Sequence, residues 1–227
     1  MQCNYKAAAA TQKKYDVCLH LGNRWLDYIE AVTAIELNRL FGWKAKRLGD
    51  MYDGEADLLA EMMELYASDG EDIWETTLTA NHGLGMRLRG IGVDIAEWMR
   101  EWPIVDRFAH TWRNKREMDQ HDFRANWIET MEKKLTVYWA VLLLWLNERH
   151  GFGAVRLKKV FDAVRGDYVK FAGKYLMCKK SLDYELTGII EDKVREAKAL
   201  LGKVELEKTF VSVEEFIKNQ KKIAPTA

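Results

Sequence analysis

One short pattern recurs along this chain, and its residue types are those that proteins use to hold anions. The first copy occupies 37–48 (LNRLFGWKAKRL) and the second occupies 146–157 (LNERHGFGAVRL). Leu-Asn, a glycine, an aromatic residue, Ala and Arg-Leu recur between them without a gap. A third, degenerate copy at 78–88 (LTANHGLGMRL) needs a one-residue deletion before its Arg-Leu. Each copy is typical of a helix end, a turn closed by glycine and a new helix.

The repeated turns predict anion sites. A helix start offers unpaired backbone N–H groups and the positive end of a dipole. Glycines would let a phosphate approach the backbone, an arginine would add bidentate contacts, and the histidine of two copies would donate hydrogen bonds. No Walker or Rossmann spacing is present, and helix caps that bind nothing remain the open alternative. The candidate ligand-binding residues are Gly42, Arg47, His82, Gly83, Gly85, Arg87, His150, Gly151, Gly153 and Arg156.

No other group of residues supports a metal site or a catalytic centre. His110, Asp119, His121 and Asp122 are close in sequence, but neighbours on a helix point about 100° apart, so we expect solvated side chains. The three cysteines are widely spaced and form neither a disulfide framework nor a zinc pattern, which indicates a reducing compartment. No Gly-x-Ser-x-Gly is present. We therefore expect a protein that binds rather than catalyses, with no metal and no cofactor.

The elements that carry these turns are predicted to be helices. Apolar residues recur at steps of three and four, and only two prolines interrupt the chain. The fold class is therefore all-α, a multi-helix bundle built from degenerate helix, Gly turn, helix repeats. We expect three regions. Residues 1–103 form an N-terminal helical region with the repeat turns at 37–48 and 78–88. Residues 104–202 contain the long helix and the hairpin with the repeat turn at 146–157, and residues 203–227 form a C-terminal tail with a short helix. The predicted helices are Thr11–Leu40, Glu55–Tyr66, Asp72–Asn81, Met86–Trp102, Asp119–Arg149, Ala154–Phe171, Ser181–Leu201 and a last one from Ser212, with Lys203–Val211 extended.

Charge and hydropathy limit the possible partners. The 227 residues include 35 basic and 35 acidic ones, which excludes a uniformly basic binder of nucleic acid or membranes but allows local patches. The most apolar run, Val137–Leu146, is about half of the roughly 20 residues that a bilayer needs, so it predicts a buried helix centre. The N-terminus lacks the apolar region of a secretory signal. We expect a soluble, cytoplasmic protein without membrane contact.

Tryptophan is unusually frequent, with nine residues. Trp98 and Trp102 stand four apart beside charged residues, which leaves an exposed patch on one helix face open. For the tryptophans as a set, burial in the core is the favoured interpretation. Trp139 and Trp145 lie in the most apolar helix and are expected to be buried.

A DNA-binding role is the alternative from another class. Helix, Gly-containing turn, helix is also the outline of a helix-turn-helix, and the helix after Gly153 carries Arg156, Lys158, Lys159, Arg165 and Lys170. Its basic residues are spread around the helix, and Asn147 stands where the first helix usually has a small apolar residue. Nucleic acid is therefore a possible but not a favoured partner.

The stretch from Val141 to Arg156, with Gly151-Phe152-Gly153 and then Arg156-Leu157, resembles small helical proteins of bacteriophages and prophages of Gram-positive bacteria. In that family a Leu-rich helix leads into a Phe-Gly-Phe-Gly-x-x-Arg-Leu turn. The similarity covers Leu135 to Ile190, about a quarter of the chain, and His150 stands where the family usually has Phe.

The resemblance implies a phage origin and a function in the host cytoplasm. Its class suggests an accessory protein that binds and inhibits a host defence protein, or that sequesters a small phosphorylated nucleotide signal. A structural module that forms homo-oligomers is a third possibility.

Overall fold

The computed structural model describes residues 25–68, 77, 83–102, 117–177 and 182–202. The regular structure of these residues is helical and contains no strand, which confirms the predicted all-α multi-helix bundle. The helices are α1 (25–41), α2 (Ala45–Ser68), α3 (Gly83–Gly90), α4 (Ile95–Arg100), α5 (Glu117–His150), α6 (Ala154–Met177) and α7 (Leu182–Leu201).

Two αα-hairpins, α1–α2 and α5–α6, exchange helix contacts with each other. The rings of Trp25 and Tyr28 in α1 lie 5.3 and 4.3 Å from the ring of Phe171 in α6. The first helix of the other hairpin, α5, packs in turn on α2, where Gly54 lies against the indole of Trp145. Each hairpin therefore covers its apolar faces with the other, which an isolated hairpin cannot do.

The long helix α5 is the central element of the bundle. It contacts α2, α3, α4 and α6, and every residue from Tyr138 to Leu146 is buried. The prediction that the apolar run forms a buried helix centre is confirmed. Among the described helices, none is long and apolar enough to cross a membrane.

The single helix predicted over Met86–Trp102 is wrong, because two short helices occupy this stretch. Helix α3 ends in a turn where Gly92 has a φ of 81° and the N–H of Val93 donates to the carbonyl of Leu88. Asp94 then caps α4 by accepting from the backbone N–H of Glu97. The glycine with positive φ ends one helix, and the capping Asp-x-x-Glu begins the next. These local signals outweigh the helical spacing of the apolar residues.

Trp98 and Trp102 pack on the core, as favoured for the tryptophans as a set, and the alternative of an exposed patch at these two residues is wrong. Trp102 is buried, with its ring 5.6 Å from that of Trp139 and 5.4 Å from that of Phe161. Trp98 is partly buried against Phe161. The break before α4 lets this short helix lay both indoles on the core. Trp139 and Trp145 are buried, as predicted.

The other helix predictions differ from the structure mainly at their ends. Helix α2 begins ten residues before the predicted Glu55, directly after the first repeated turn. Of the predicted helix Asp72–Asn81 only Thr77 is described, and it is helical and buried. The start of the first helix, the extended segment and the helix from Ser212 lie outside the described residues. One hydrophobic core runs from Trp25 to Leu201, so both predicted regions, 1–103 and 104–202, contribute to it.

The packing of α2 on α5 leads to a prediction about Gly54. A β-carbon at this position would overlap the Trp145 indole, with its Cε2 only 2.9 Å away. Gly54→Ala is therefore expected to lower the free energy of unfolding by about 1–3 kcal/mol, as overpacked core positions do. Gly49→Ala in the same helix is the matched control, because a β-carbon added there would meet nothing within 4 Å. It should raise stability by about 0.5–1 kcal/mol through helix propensity. Urea unfolding measures both, and equal effects of the two substitutions would contradict the packing.

Candidate functional site

The first and second repeated turns have the same backbone geometry. Gly42 and Gly151 have φ of 66° and 62°. The N–H of each glycine donates to the carbonyl of the asparagine four residues earlier, at 2.8 and 2.9 Å. The N–H of the next residue, Trp43 or Phe152, donates to the leucine carbonyl six residues earlier. The bond from each glycine is the 5→1 bond of an αL helix cap. The glycine-closed helix end that the sequence pattern predicted is therefore present in both turns, with the hydrogen bonds of the αL cap and not those of a Schellman motif.

The side chain of the asparagine in each turn stabilises the turn by a hydrogen bond to its backbone. Asn38 Nδ2 donates to the carbonyl of Trp43 at 2.6 Å, and Asn147 Nδ2 donates to the carbonyl of Phe152 at 2.9 Å. These carbonyls lie beyond the helix end, where no intrahelical donor reaches them. The repeated Leu-Asn is therefore part of the turn itself, a role that the sequence pattern alone did not reveal.

The two turns pack on each other in a reciprocal way. Phe41 of the first turn lies 4.8 Å from Phe152 of the second, measured between ring centroids. At the equivalent positions of the repeat, His150 of the second turn lies 4.5 Å from Trp43 of the first. Trp43 and Phe152, which are themselves equivalent, meet at 5.8 Å. The two contacts are equivalent, because exchanging the turns converts one into the other. Reciprocal contacts of this kind define an approximate two-fold axis between the turns.

His150 is held inside this aromatic cluster. Its ring lies between Trp43 and Trp145, with centroid distances of 4.5 and 4.7 Å. Its Nε2 is buried and has no hydrogen-bond partner. Desolvation lowers the pKa of His150, the charge of Arg47 lowers it further, and Asp50 opposes both. The imidazole is therefore neutral at pH 7, and its observed contacts are with the two indoles.

Basic residues collect where the turns meet. The repeat segment 37–48 contains four basic residues and no acidic one, and Asp50 stands two residues beyond it. The repeat segment 146–157 contains two basic residues and one acidic one, and Lys158 and Lys159 follow it directly. The packing of the turns brings both sets to the same end of the hairpins. Six of these cations are exposed and lie beyond ion-pair distance of any carboxylate in the described part of the chain; we call them the basic surface. They are Lys44, Lys46, Arg47, Arg149, Arg156 and Lys159.

Cations of this surface lie over the aromatic rings of the turns. Lys159 Nζ, on α6, lies 5.9 Å from the ring centroid of Phe41 in the other hairpin. The Arg156 guanidinium carbon lies 5.6 Å from the ring centroid of Phe152. Cation–π contacts of this kind orient the side chains while leaving their charge exposed to solvent. The sequence pattern singled out Arg47 and Arg156 as phosphate contacts and Lys159 only for the DNA-binding alternative. It missed Lys44, Lys46 and Arg149, although the number of basic residues in the repeats was a signal for them.

The third copy supplies a neutralising residue. Arg87 Nη2 lies 2.5 Å from Oε1 of Glu148, which is the acidic residue of the second turn, and Arg87 Nη1 contacts the sulfur of Met62 at 3.0 Å. Arg87 thus offsets the negative charge within the turn segments and is itself engaged. Two other basic residues are also paired, Arg39 of the first segment with Glu36, and Lys158, directly after the second segment, with Asp162.

The structure brings six of the ten predicted ligand-binding residues together: Gly42, Arg47, His150, Gly151, Gly153 and Arg156. Gly42, Gly151 and Gly153 are exposed, and a β-carbon added to any of them would meet nothing within 4 Å, so their backbone is open to solvent. Gly83 has a φ of 60° and begins α3, and Gly85 is buried within that helix. His82 lies outside the described residues. The third copy therefore reaches the paired turns through Arg87 and does not add a third open glycine turn.

Within the residues that the structure describes, no three His, Cys, Asp or Glu side chains converge as metal ligands. The side chains of His110, Asp119, His121 and Asp122 lie outside that part of the chain.

In comparisons with known proteins, no family model, no curated sequence and no solved structure matches this chain.

The partial desolvation of His150 predicts a pH dependence of stability. Because its pKa in the folded protein is lowered, the unfolded chain binds the proton more readily, from about pH 6.5 downward. The free energy of unfolding should therefore decrease as the pH falls through 6.5 toward the folded-state pKa. His150→Phe, which copies the equivalent Phe41, should remove this part of the loss. Urea unfolding at about pH 7.5 and pH 5.5 measures the difference. An identical pH dependence in both proteins would contradict a lowered pKa of His150.

Proposed function

We propose that the protein binds a phosphate-bearing ligand at the basic surface of the paired turns, and that it acts by binding rather than by catalysis. The observation that carries the proposal is the set of six exposed cations that the turn packing gathers without carboxylate partners among the described residues. A neutral chain that concentrates unpaired charge of one sign on one surface attracts ligands of the opposite sign.

Two further features support a phosphate in particular. Each turn leads into a helix start, at Ala45 and at Ala154, where backbone N–H groups and the helix dipole favour an anion. Arg47 and Arg156 stand at the same place in these two helices, and a guanidinium donates two parallel hydrogen bonds to phosphate oxygens. The open glycines beside them leave room for a phosphate to reach the backbone.

The wider role that we propose is that of a phage accessory protein that captures a phosphorylated nucleotide signal or occupies a host defence protein. It rests on the resemblance of the second turn to phage and prophage proteins and on the charge of the surface. Native mass spectrometry of the protein expressed in its host separates the alternatives: a retained nucleotide supports capture, a co-purified protein supports inhibition by contact, and a homo-oligomer alone supports a structural role.

The proposed site predicts that Arg47 and Arg156 contribute alike to phosphate binding. With linear tripolyphosphate as the probe, isothermal titration calorimetry should show binding to the wild-type protein. Arg47→Ala and Arg156→Ala should each weaken it about fivefold, since an exposed charged contact contributes up to about 1 kcal/mol. The double variant should abolish measurable heat.

Arg195→Ala is the matched control, because Arg195 is an exposed cation on α7 outside both turns. It should bind tripolyphosphate as the wild-type protein does. Equal weakening by Arg195→Ala would show a nonspecific charge effect, and no binding by the wild-type protein would overturn the proposed function.

A further inference from the structure

The shape and symmetry of the basic surface indicate which phosphate-bearing ligand it fits. We infer that the ligand is the backbone of a nucleic acid duplex, with each hairpin contacting the phosphates of one strand. This inference rests on the proposed binding of phosphate at the same surface, and it names a polymeric ligand there in place of the small nucleotide signal.

The basic surface is open to solvent. A site for a small nucleotide is a concave pocket that covers most of the ligand and fixes it with a few buried polar groups. Here all six cations of the basic surface are exposed, and Gly42, Gly151 and Gly153 face open space. The side chain of His150 lies between the turns, where it packs against two indoles and is neutral. Spread, exposed cations suit an extended polyanion, which gains affinity by releasing counterions along its length.

The approximate two-fold axis favours a duplex over a single strand. The reciprocal contacts of Phe41 with Phe152 and of Trp43 with His150 place Arg47 and Arg156, the one pair of cations that the repeat aligns, in equivalent positions on either side of the aromatic cluster. The two antiparallel strands of a duplex are related by two-fold axes perpendicular to the helix, and proteins with two-fold symmetry align with them. A single strand has no such axis.

The charges on the exposed face of α6 decide how a duplex would be contacted. In a helix-turn-helix the second helix of the unit enters the major groove with its exposed face. Beyond Lys159, the exposed face of α6 presents the carboxylate of Asp162, which a DNA groove would repel. Arg165 is bound to the carbonyl and the carboxylate of Glu101. The cations of the basic surface are therefore at the helix starts and turns, where they reach the backbone phosphates. Contacts to phosphate carry no base information, so binding should be independent of sequence.

The test compares three probes on the wild-type protein by fluorescence anisotropy, with tripolyphosphate as a competitor. They are a duplex of about 20 base pairs, two helical turns, a second duplex of unrelated sequence, and one strand of the first. Both duplexes should bind alike and more tightly than the single strand. The logarithm of the association constant should fall linearly with the logarithm of salt concentration, with a slope of about −4 to −5 if most of the six cations contact phosphate.

The variants test the symmetry of the site. Arg47→Ala and Arg156→Ala should each make the salt slope shallower by about one and weaken duplex binding to a similar degree. Arg195→Ala should change neither quantity. A loss confined to one of the two arginines would overturn the two-strand arrangement.

Failure of this inference is distinguishable from failure of the proposed function. If tripolyphosphate binds through Arg47 and Arg156 but the duplex binds no more tightly than the single strand, the duplex inference is wrong and phosphate binding stands. If neither tripolyphosphate nor nucleic acid binds, both are wrong.

Discussion

The reciprocal packing of two aromatic turns is the contact on which the rest of this structure depends. Phe41 with Phe152 and Trp43 with His150 hold the ends of two hairpins together, and aromatic pairs of this kind contribute about 0.5–1.5 kcal/mol beyond the area they bury. The turns present these rings because Gly42 and Gly151 adopt positive φ and because Asn38 and Asn147 tie the following carbonyls. Once the turns meet, the first helix of each hairpin lies on the second helix of the other.

The same contact gathers positive charge, and that has an energetic consequence. Exposed cations at one end of the bundle repel each other, although solvent and salt reduce the repulsion. The ion pairs of Arg39 with Glu36 and of Lys158 with Asp162 reduce this repulsion. The ion pair of Arg87 with Glu148 has the opposite effect, because it neutralises the acidic residue of the second turn. Six cations remain without carboxylate partners in the described part of the chain, so an anion bound there would relieve repulsion and stabilise the folded state. This coupling of fold and charge is why we interpret the paired turns as more than helix caps.

The net charge of zero conceals this arrangement because it averages over the whole chain. The repeated turn segments, with Lys158 and Lys159 directly after the second, carry a net positive charge, and most of the balancing carboxylates lie elsewhere in the sequence. The total charge therefore excludes a uniformly basic protein and leaves a local basic surface open. The three-dimensional contact of two segments about 110 residues apart turns two modest runs of charge into one surface.

The sequence alone determined the helical class, the two glycine-closed turns and the buried centre of α5, because capping and helical periodicity are local and act between residues a few positions apart. It also marked Gly42 as equivalent to Gly151 and Arg47 as equivalent to Arg156. It missed the break at Gly92, where local capping outweighs the helical spacing of the apolar residues, and it left open whether Trp98 and Trp102 form an exposed patch, although the core covers Trp102. Only the tertiary structure decided that His150 lies between two indoles, that Arg87 pairs with Glu148, and that both turns form one surface. These contacts join residues far apart in the chain, and they depend on how whole helices pack, which no local pattern specifies.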